Sequence, residues 1–233
     1  MHLTQHPGLN PPVFEATITD IIDDGIFLDR TFCYPRGGGQ PGDKGSITSG
    51  DKFSNMGEVK PGDRILHPLD NPKTFTAGDK VECKIDSFWR NRNTMMHTAQ
   101  HVFSAIANDM YNAETVGNQI SDHTTRIDLW FPDRDIFDAE EISSQVNDVL
   151  NSGAEVLTHE RSRDKILSHE KMRHTNFMDR IPSSINMLRV VEIEDIDLCP
   201  CGGTHVGNIS EIPNITIENV KSKGAGKLRV SYS

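Results

Sequence analysis

The sequence predicts an α+β protein in two parts, a small β-barrel-like domain over residues 1–88 and a mixed α+β domain over residues 89–233. Three observations carry this reading. The first part strings short apolar runs between clusters of Asp, Gly and Pro, the pattern of a small barrel. Past residue 90 the apolar spacing becomes helical. Helix-like and strand-like segments then alternate to the C-terminus, without internal repeats or low-complexity tracts.

Residues 14–18, 26–28 and 80–85 read as strands, separated by turn clusters such as Asp23-Asp24-Gly25, Pro61-Gly62-Asp63 and Ala77-Gly78-Asp79. Met95, Ala99, Val102, Phe103, Ile106 and Met110 recur at helical spacing, predicting a helix over 93–110 capped by Asn93 or Thr94. Ile127, Leu129 and Phe131 alternate, predicting a strand over 125–131. Residues 138–150 form the next helix, with Ile142, Val146, Val149 and Leu150 on one face and Gly153 as its stop. A weaker helical pattern covers 163–173, and 187–193 reads as a strand. Residues 213–221 and 227–231 read as two strands joined through Lys223-Gly224-Ala225-Gly226.

Hydrophobic residues make up 35% and charged residues 25% of the 233, enough apolar material for a real core. No apolar run is long enough to cross a membrane as a helix, and residues 1–16 lack the basic-then-apolar pattern of a secretory signal, so a cytoplasmic, reducing setting is expected. In that setting Cys33, Cys83, Cys199 and Cys201 are candidates for burial or metal binding rather than disulfides. The formal net charge of -10 excludes whole-surface attraction to a polyanion. Residues 221–233 are the exception, carrying Lys221, Lys223, Lys227 and Arg229 and no acidic side chain.

Two segments carry the chemistry. His97-Thr-Ala-Gln-His101 puts two imidazoles four residues apart, on one face of a helix. Cys201-Gly-Gly-Thr-His205 repeats the spacing on a turn whose glycines allow its thiolate and imidazole to converge. Together His97, His101, Cys201 and His205 make a donor set suited to one zinc ion per chain. Three roles are open to Cys199: ligand in place of Cys201, thiol beside the site, or buried side chain. Cys201 is preferred because it shares the four-residue spacing with His205. The remaining histidines (His2, His6, His67, His123, His159, His169 and His174) lack a partner at ligand spacing and are read as surface or structural.

Other motifs fail on physical grounds. Gly37-Gly-Gly-Gln-Pro-Gly42 fits G-x-G-x-x-G, but Pro41 and Gly45 oppose the helix a dinucleotide site needs, so it reads as a tight structural turn or a contact surface. Gly224-Ala-Gly226-Lys227 lacks the first glycine of a P-loop, and HTAQH lacks the glutamate of HExxH.

HTAQH followed by CGGTH, with YPRGGGQPGDKG at residues 34–45 and KSKGAGKLR at 221–229, resembles the editing domain of alanyl-tRNA synthetases and the free-standing alanyl-tRNA editing proteins of the AlaX family. The resemblance spans roughly residues 13–231, and the chain length matches the medium-length free-standing form. It implies a trans-editing hydrolase that deacylates mischarged tRNA(Ala), chiefly seryl-tRNA(Ala) and to a lesser extent glycyl-tRNA(Ala). Carried over by position, His97, His101, Cys201 and His205 are the zinc residues, and Gln119 falls where the family has a Gln or His lining the amino-acid pocket. His97, His101 and Gln119 become the candidate catalytic residues. Thr98 and Gln119, with Asn118 behind them, are candidate partners of the serine hydroxyl, and Lys223 and Lys227, with Arg90 and Arg92, of tRNA phosphates. Four protein donors make a closed, structural-type shell, so catalysis needs a fifth position or an exchangeable ligand. Two rival readings are a non-catalytic tRNA-binding module with structural zinc and a zinc hydrolase of a small ester or amide.

Overall fold

The computed structural model describes residues 13–173, 175–179 and 181–233. His2, His6 and His174 lie outside the described residues. The chain divides into two compact units, Met1–Thr94 and Met95–Ser233.

In the first unit six strands form one antiparallel sheet: β1 (Val13–Ile22), β2 (Gly25–Leu28), β3 (Gly45–Ser49), β4 (Lys52–Met56), β5 (His67–Pro68) and β6 (Lys80–Ile85), in the order β4-β3-β6-β1-β2-β5. The two edge strands approach each other through the bridge Met56↔Leu69 and a 2.9 Å bond from Gly57 N–H to Pro68 O, so the sheet curls toward a barrel. Alternation selects the core. Phe14, Ala16 and Ile18 on β1 and Val81, Cys83 and Ile85 on β6 are buried, while their odd neighbours on β1 and even neighbours on β6 are not.

The glycine-rich loop is a structural turn. Gly37 and Gln40 exchange backbone hydrogen bonds of 3.0 and 2.9 Å, and the two residues between them have positive φ, 56° at Gly38 and 83° at Gly39. A Cβ at Gly42 would stand 2.0 Å from the Val59 carbonyl oxygen.

The first helix, α1 (Ser87–Tyr111), starts earlier than its apolar spacing predicts. Asp86 caps it by accepting from Trp89 N–H at 3.0 Å, whereas Asn93 and Thr94 are buried inside it. Arg90, proposed as a phosphate contact, is corrected too. It is fully buried, and its guanidinium binds the Asp43 carboxylate through Nε at 2.7 Å and through Nη2. Arg92 is half-buried.

The second unit holds two antiparallel sheets. Strands β7 (Glu114–Ile120), β8 (Thr125–Trp130), β12 (Ile217–Ser222) and β13 (Lys227–Tyr232) run in the order β12-β13-β8-β7, and β9 (Val156–Ser162), β10 (Met187–Ile193) and β11 (Asp197–Pro200) in the order β11-β10-β9. Tyr232 stacks on Phe103 of α1 at 5.4 Å between ring centroids, fixing the helix against the first sheet. Helix α2 (Ala139–Leu150) is capped by the Asp138 carboxylate and buries Ile142, Val146 and Leu150, as its pattern predicts. Helix α3 (Arg163–Leu167) is shorter than expected. Beyond it Lys171 N–H turns to His169 Nδ1 and the Arg173 guanidinium reaches the Lys171 and Ile196 carbonyls, bonds a continuous helix would not allow. The strand expected to start at 213 begins at Ile217, because Ile215 N–H is taken by the Asn147 side chain at 2.8 Å. Among the described residues no helix is long and apolar enough to cross a membrane.

Candidate metal centre

His97 and His101 lie one turn apart on α1, 2% and 4% exposed. Cys201 follows β11 directly and is anchored there through both backbone groups. Its N–H donates to the Arg189 carbonyl at 3.2 Å and its carbonyl accepts from the Arg189 guanidinium. The turn that follows brings His205 back over Cys201, with Gly203 N–H donating to the Cys201 sulfur at 3.3 Å.

These two segments converge. One ligand atom from each of His97, His101, Cys201 and His205 lies within 4.8 Å of every other. Cys201 Sγ is 3.5 Å from His97 Nε2 and 3.3 Å from His205 Nε2. Donor atoms around a tetrahedral ion at zinc bond lengths stand roughly 3.3–3.8 Å apart, so three imidazoles and a thiolate so placed fit such an ion. His97 and His101 are buried, and Cys201 and His205 half-buried.

Two further residues orient the donors. Asp197, 1% exposed, meets His101 Nδ1 at 3.1 Å through Oδ2, which leaves Nε2 of that ring to the cluster. Thr98 Oγ1 meets His205 Nδ1 at 3.1 Å and accepts from Val206 N–H at 3.2 Å, turning His205 Nε2 toward Cys201. Thr98, expected to touch substrate, is fully buried and thus supports the cluster. Asp197 escaped sequence reasoning, being one acid among several in the segment 192–197.

The electrostatics separate the two candidate thiols. Burial pushes the Cys201 thiol up, but attraction from His97 and His205 and hydrogen bonds from His101 and His205 outweigh it and hold the pKa well below the usual thiol range. Burial pushes Cys199 up to about 11, against a hydrogen bond from His101. Cys199 therefore stays a neutral thiol, buried outside the cluster and donating to the Pro200 carbonyl at 3.5 Å. Burial drives His205 down to about 3, the neutral form a metal ligand requires. Burial opposes the charge on His101 too, but its bond to Asp197 and those to Cys199 and Cys201 lift its pKa well above the ordinary value.

Gln119 lies on β7, apart from the two segments that carry the donors. It is exposed and pairs across the strands with Arg126, on the sheet face turned away from α1. Its neighbour Asn118 faces the helix, donating from Nδ2 to Gln100 Oε1 at 2.9 Å. Gln100 in turn donates to Ser104 Oγ at 2.9 Å, which also accepts from Thr115 Oγ1 at 2.8 Å, a polar network beside the two histidines. Lys223 and Lys227 are exposed on the β12–β13 hairpin, outside the cluster.

Residues 188–231 match a family model described as the threonyl and alanyl tRNA synthetase second additional domain, and residues 10–89 one described as tRNA synthetases class II (A). The chain is 34% identical to the alanyl-tRNA editing protein AlaX-M of Methanosarcina barkeri over 94% of its own length and 93% of that protein. It is 31% identical to AlaX-L of Pyrococcus horikoshii, covering 89% of this chain and 50% of that protein. It is 30% identical to the alanine–tRNA ligase of Metallosphaera sedula, covering 94% of this chain and 24% of that protein.

Proposed function

Because the chain belongs to the family of AlaX-M alanyl-tRNA editing proteins, we propose that it deacylates mischarged tRNA(Ala), chiefly Ser-tRNA(Ala) and to a lesser extent Gly-tRNA(Ala), at a zinc centre held by His97, His101, Cys201 and His205. Residues 89–233 act as the editing domain in this reading and residues 1–88 as an accessory barrel. The observation that carries it is the convergence of four N and S donors within 4.8 Å of one another.

The target bond is an ester, and its attack by water builds negative charge on the carbonyl oxygen. Zinc, when bound, supplies Lewis-acid stabilisation for that charge. The chain's own residues hold the donors ready. Asp197 keeps the Nδ1 proton of His101 turned inward to its carboxylate, Thr98 does the same for His205, and Cys201 contributes as a thiolate. Serine differs from alanine by a hydroxyl, and a pocket built to hydrogen-bond it rejects the analogue that lacks it, because its polar groups would go unpaired. Gln119, at the pocket position the family resemblance gives it, and Asn118, facing α1 within the Gln100–Ser104–Thr115 network, are the candidate partners of that hydroxyl. The exposed Lys223 and Lys227 meet tRNA phosphates.

A deacylation panel with Ser-, Gly- and Ala-tRNA(Ala), with and without chelator, tests this reading. Metal-dependent loss of Ser-tRNA(Ala), with Ala-tRNA(Ala) spared, is expected. Binding without hydrolysis would favour a tRNA-binding module, and hydrolysis of a free seryl ester but not of charged tRNA a small-ester hydrolase.

A further inference from the structure

The sheet β12-β13-β8-β7 has two faces of opposite character. Leu228, Val230 and Tyr232 on β13 and Ile127 and Leu129 on β8 are buried toward α1. The alternate residues point the other way. There the register sets Lys227 beside Trp130, Arg229 beside Asp128, Lys221 beside Arg229, and Glu114 on the far side of Trp130. Arg229 binds Asp128 through Nε at 2.6 Å and Nη2 at 2.8 Å. That bond holds the Asp128 carboxyl below its usual range against burial, with Arg126 and Lys223 close enough to add to the effect. Cations thus outnumber carboxylates on these rows, in a chain whose net charge is -10.

At the hairpin end of this face stands an aromatic ring. Trp130 is 36% exposed, although tryptophan is highly buried on average. The edge of its indole lies against Gly226, where a Cβ would stand 3.3 Å from Trp130 Nε1 and 2.9 Å from the Phe131 carbonyl oxygen. Gly226 also has a φ of 74°, so the turn suits glycine for both conformation and space. An exposed ring with Lys227 on one side, Glu114 on the other and further lysines on the adjoining hairpin suits unpaired RNA, since every base has a π-face and every linkage a negative charge.

We propose that this outer face binds RNA, with Trp130 stacking an unpaired nucleobase while Lys221, Lys223 and Lys227 meet the flanking phosphates. The proposal rests on the reading of the chain as a tRNA-acting protein and adds a base contact to it. Trp130 lies on the face opposite α1, and roughly 10 Å along β8 from the row of Asn118. The stacked base is therefore assigned to an unpaired 3′ nucleotide other than the one that carries the ester.

The test is equilibrium binding of uncharged tRNA(Ala) transcript to the full chain across a salt series, for the wild type, Trp130→Leu and Trp130→Phe. Trp130→Leu should weaken binding at least about 5-fold, the lower end of a lost base stack, and Trp130→Phe should stay close to wild type. The salt slope should be common to all three because no charge changes, whereas Lys227→Ala should lower it by about one. On a transcript trimmed of its unpaired 3′ nucleotides, the leucine variant and the wild type should bind alike. Equal affinity of these two for the intact transcript overturns the proposal. So does an equal loss on both transcripts, which would take Trp130 away from the unpaired 3′ nucleotides. The RNA carries no amino acid, so the two claims separate. A chain that binds through Trp130 but leaves Ser-tRNA(Ala) intact keeps this surface and loses the catalytic reading, and a chain that hydrolyses with no response to Trp130→Leu does the reverse.

Discussion

Replacing Asp197 tests how far the metal centre depends on a residue that does not belong to its donor set. The carboxylate is 1% exposed and its Oδ2 lies 3.1 Å from His101 Nδ1, itself on a side chain 4% exposed. Asp197→Ala leaves that N–H buried beside a cavity, which costs about 1–3 kcal/mol where no water can enter. It also frees the ring to rotate or change tautomer, so that Nε2 no longer faces Cys201 and His205. Loss of such a partner weakens metal affinity about 10–100-fold. Asp197→Asn keeps the shape and one acceptor oxygen, so it belongs at the low end of that range and Asp197→Ala at the high end. Zinc affinity by competition with a chromophoric chelator measures both, with circular dichroism of the apo-proteins to confirm folding. Folded variants that both bind zinc within 2-fold of wild type, well short of the roughly 10-fold minimum expected, would refute the argument that Asp197 holds His101.

Other predictions follow from the same geometry. Thr98→Ala should weaken zinc binding, while Thr98→Ser, which keeps the oxygen that meets His205 Nδ1 and Val206 N–H, should retain most of it by the same chelator competition. Arg90→Met strands the Asp43 carboxylate, 1% exposed, and should cost about 3–5 kcal/mol in urea unfolding of the full chain. Gly42→Ala places a methyl 2.0 Å from the Val59 oxygen and should lower Tm by several degrees, whereas Gly57→Ala, with 3.6 Å to its nearest neighbour, should leave Tm nearly unchanged in the same melt. Arg229 holds the folded pKa of Asp128 below its unfolded value, so the pair's stability is present above the ordinary carboxylate range and is lost as pH falls through the lower folded value. Asp128→Asn should therefore flatten that part of the acid limb of stability against pH.

The elements legible in the sequence were those where one face is apolar and the other polar. Alternation marked β8, a short apolar run between turn clusters marked β6, and helical spacing ended by Gly153 marked α2. The pairs His97/His101 and Cys201/His205 were legible because ligand residues at a repeated spacing need no knowledge of the fold. β9 was missed because, of its seven residues, only Val156 is buried, which leaves no alternation to read. The start of α1 was missed because its first turns, with Phe88 81% exposed and Arg90 fully buried, reverse the usual placement of those side chains. Which faces residues 118 and 119 take was not legible: Asn118 faces the helix and Gln119 the other way, and a slip of one residue in a strand exchanges faces. The role of Asp197 depends on β11 running past His101, a contact between residues 96 apart in sequence that no local pattern encodes.

The most direct measurement is the initial rate of Ser-tRNA(Ala) hydrolysis by metal-loaded wild type and by a His97→Ala variant verified as folded. The four-donor centre requires hydrolysis well above the uncatalysed control in the first and a rate close to that control in the second. Equal rates in the two proteins, or an intact ester after incubation with the wild type, would contradict it.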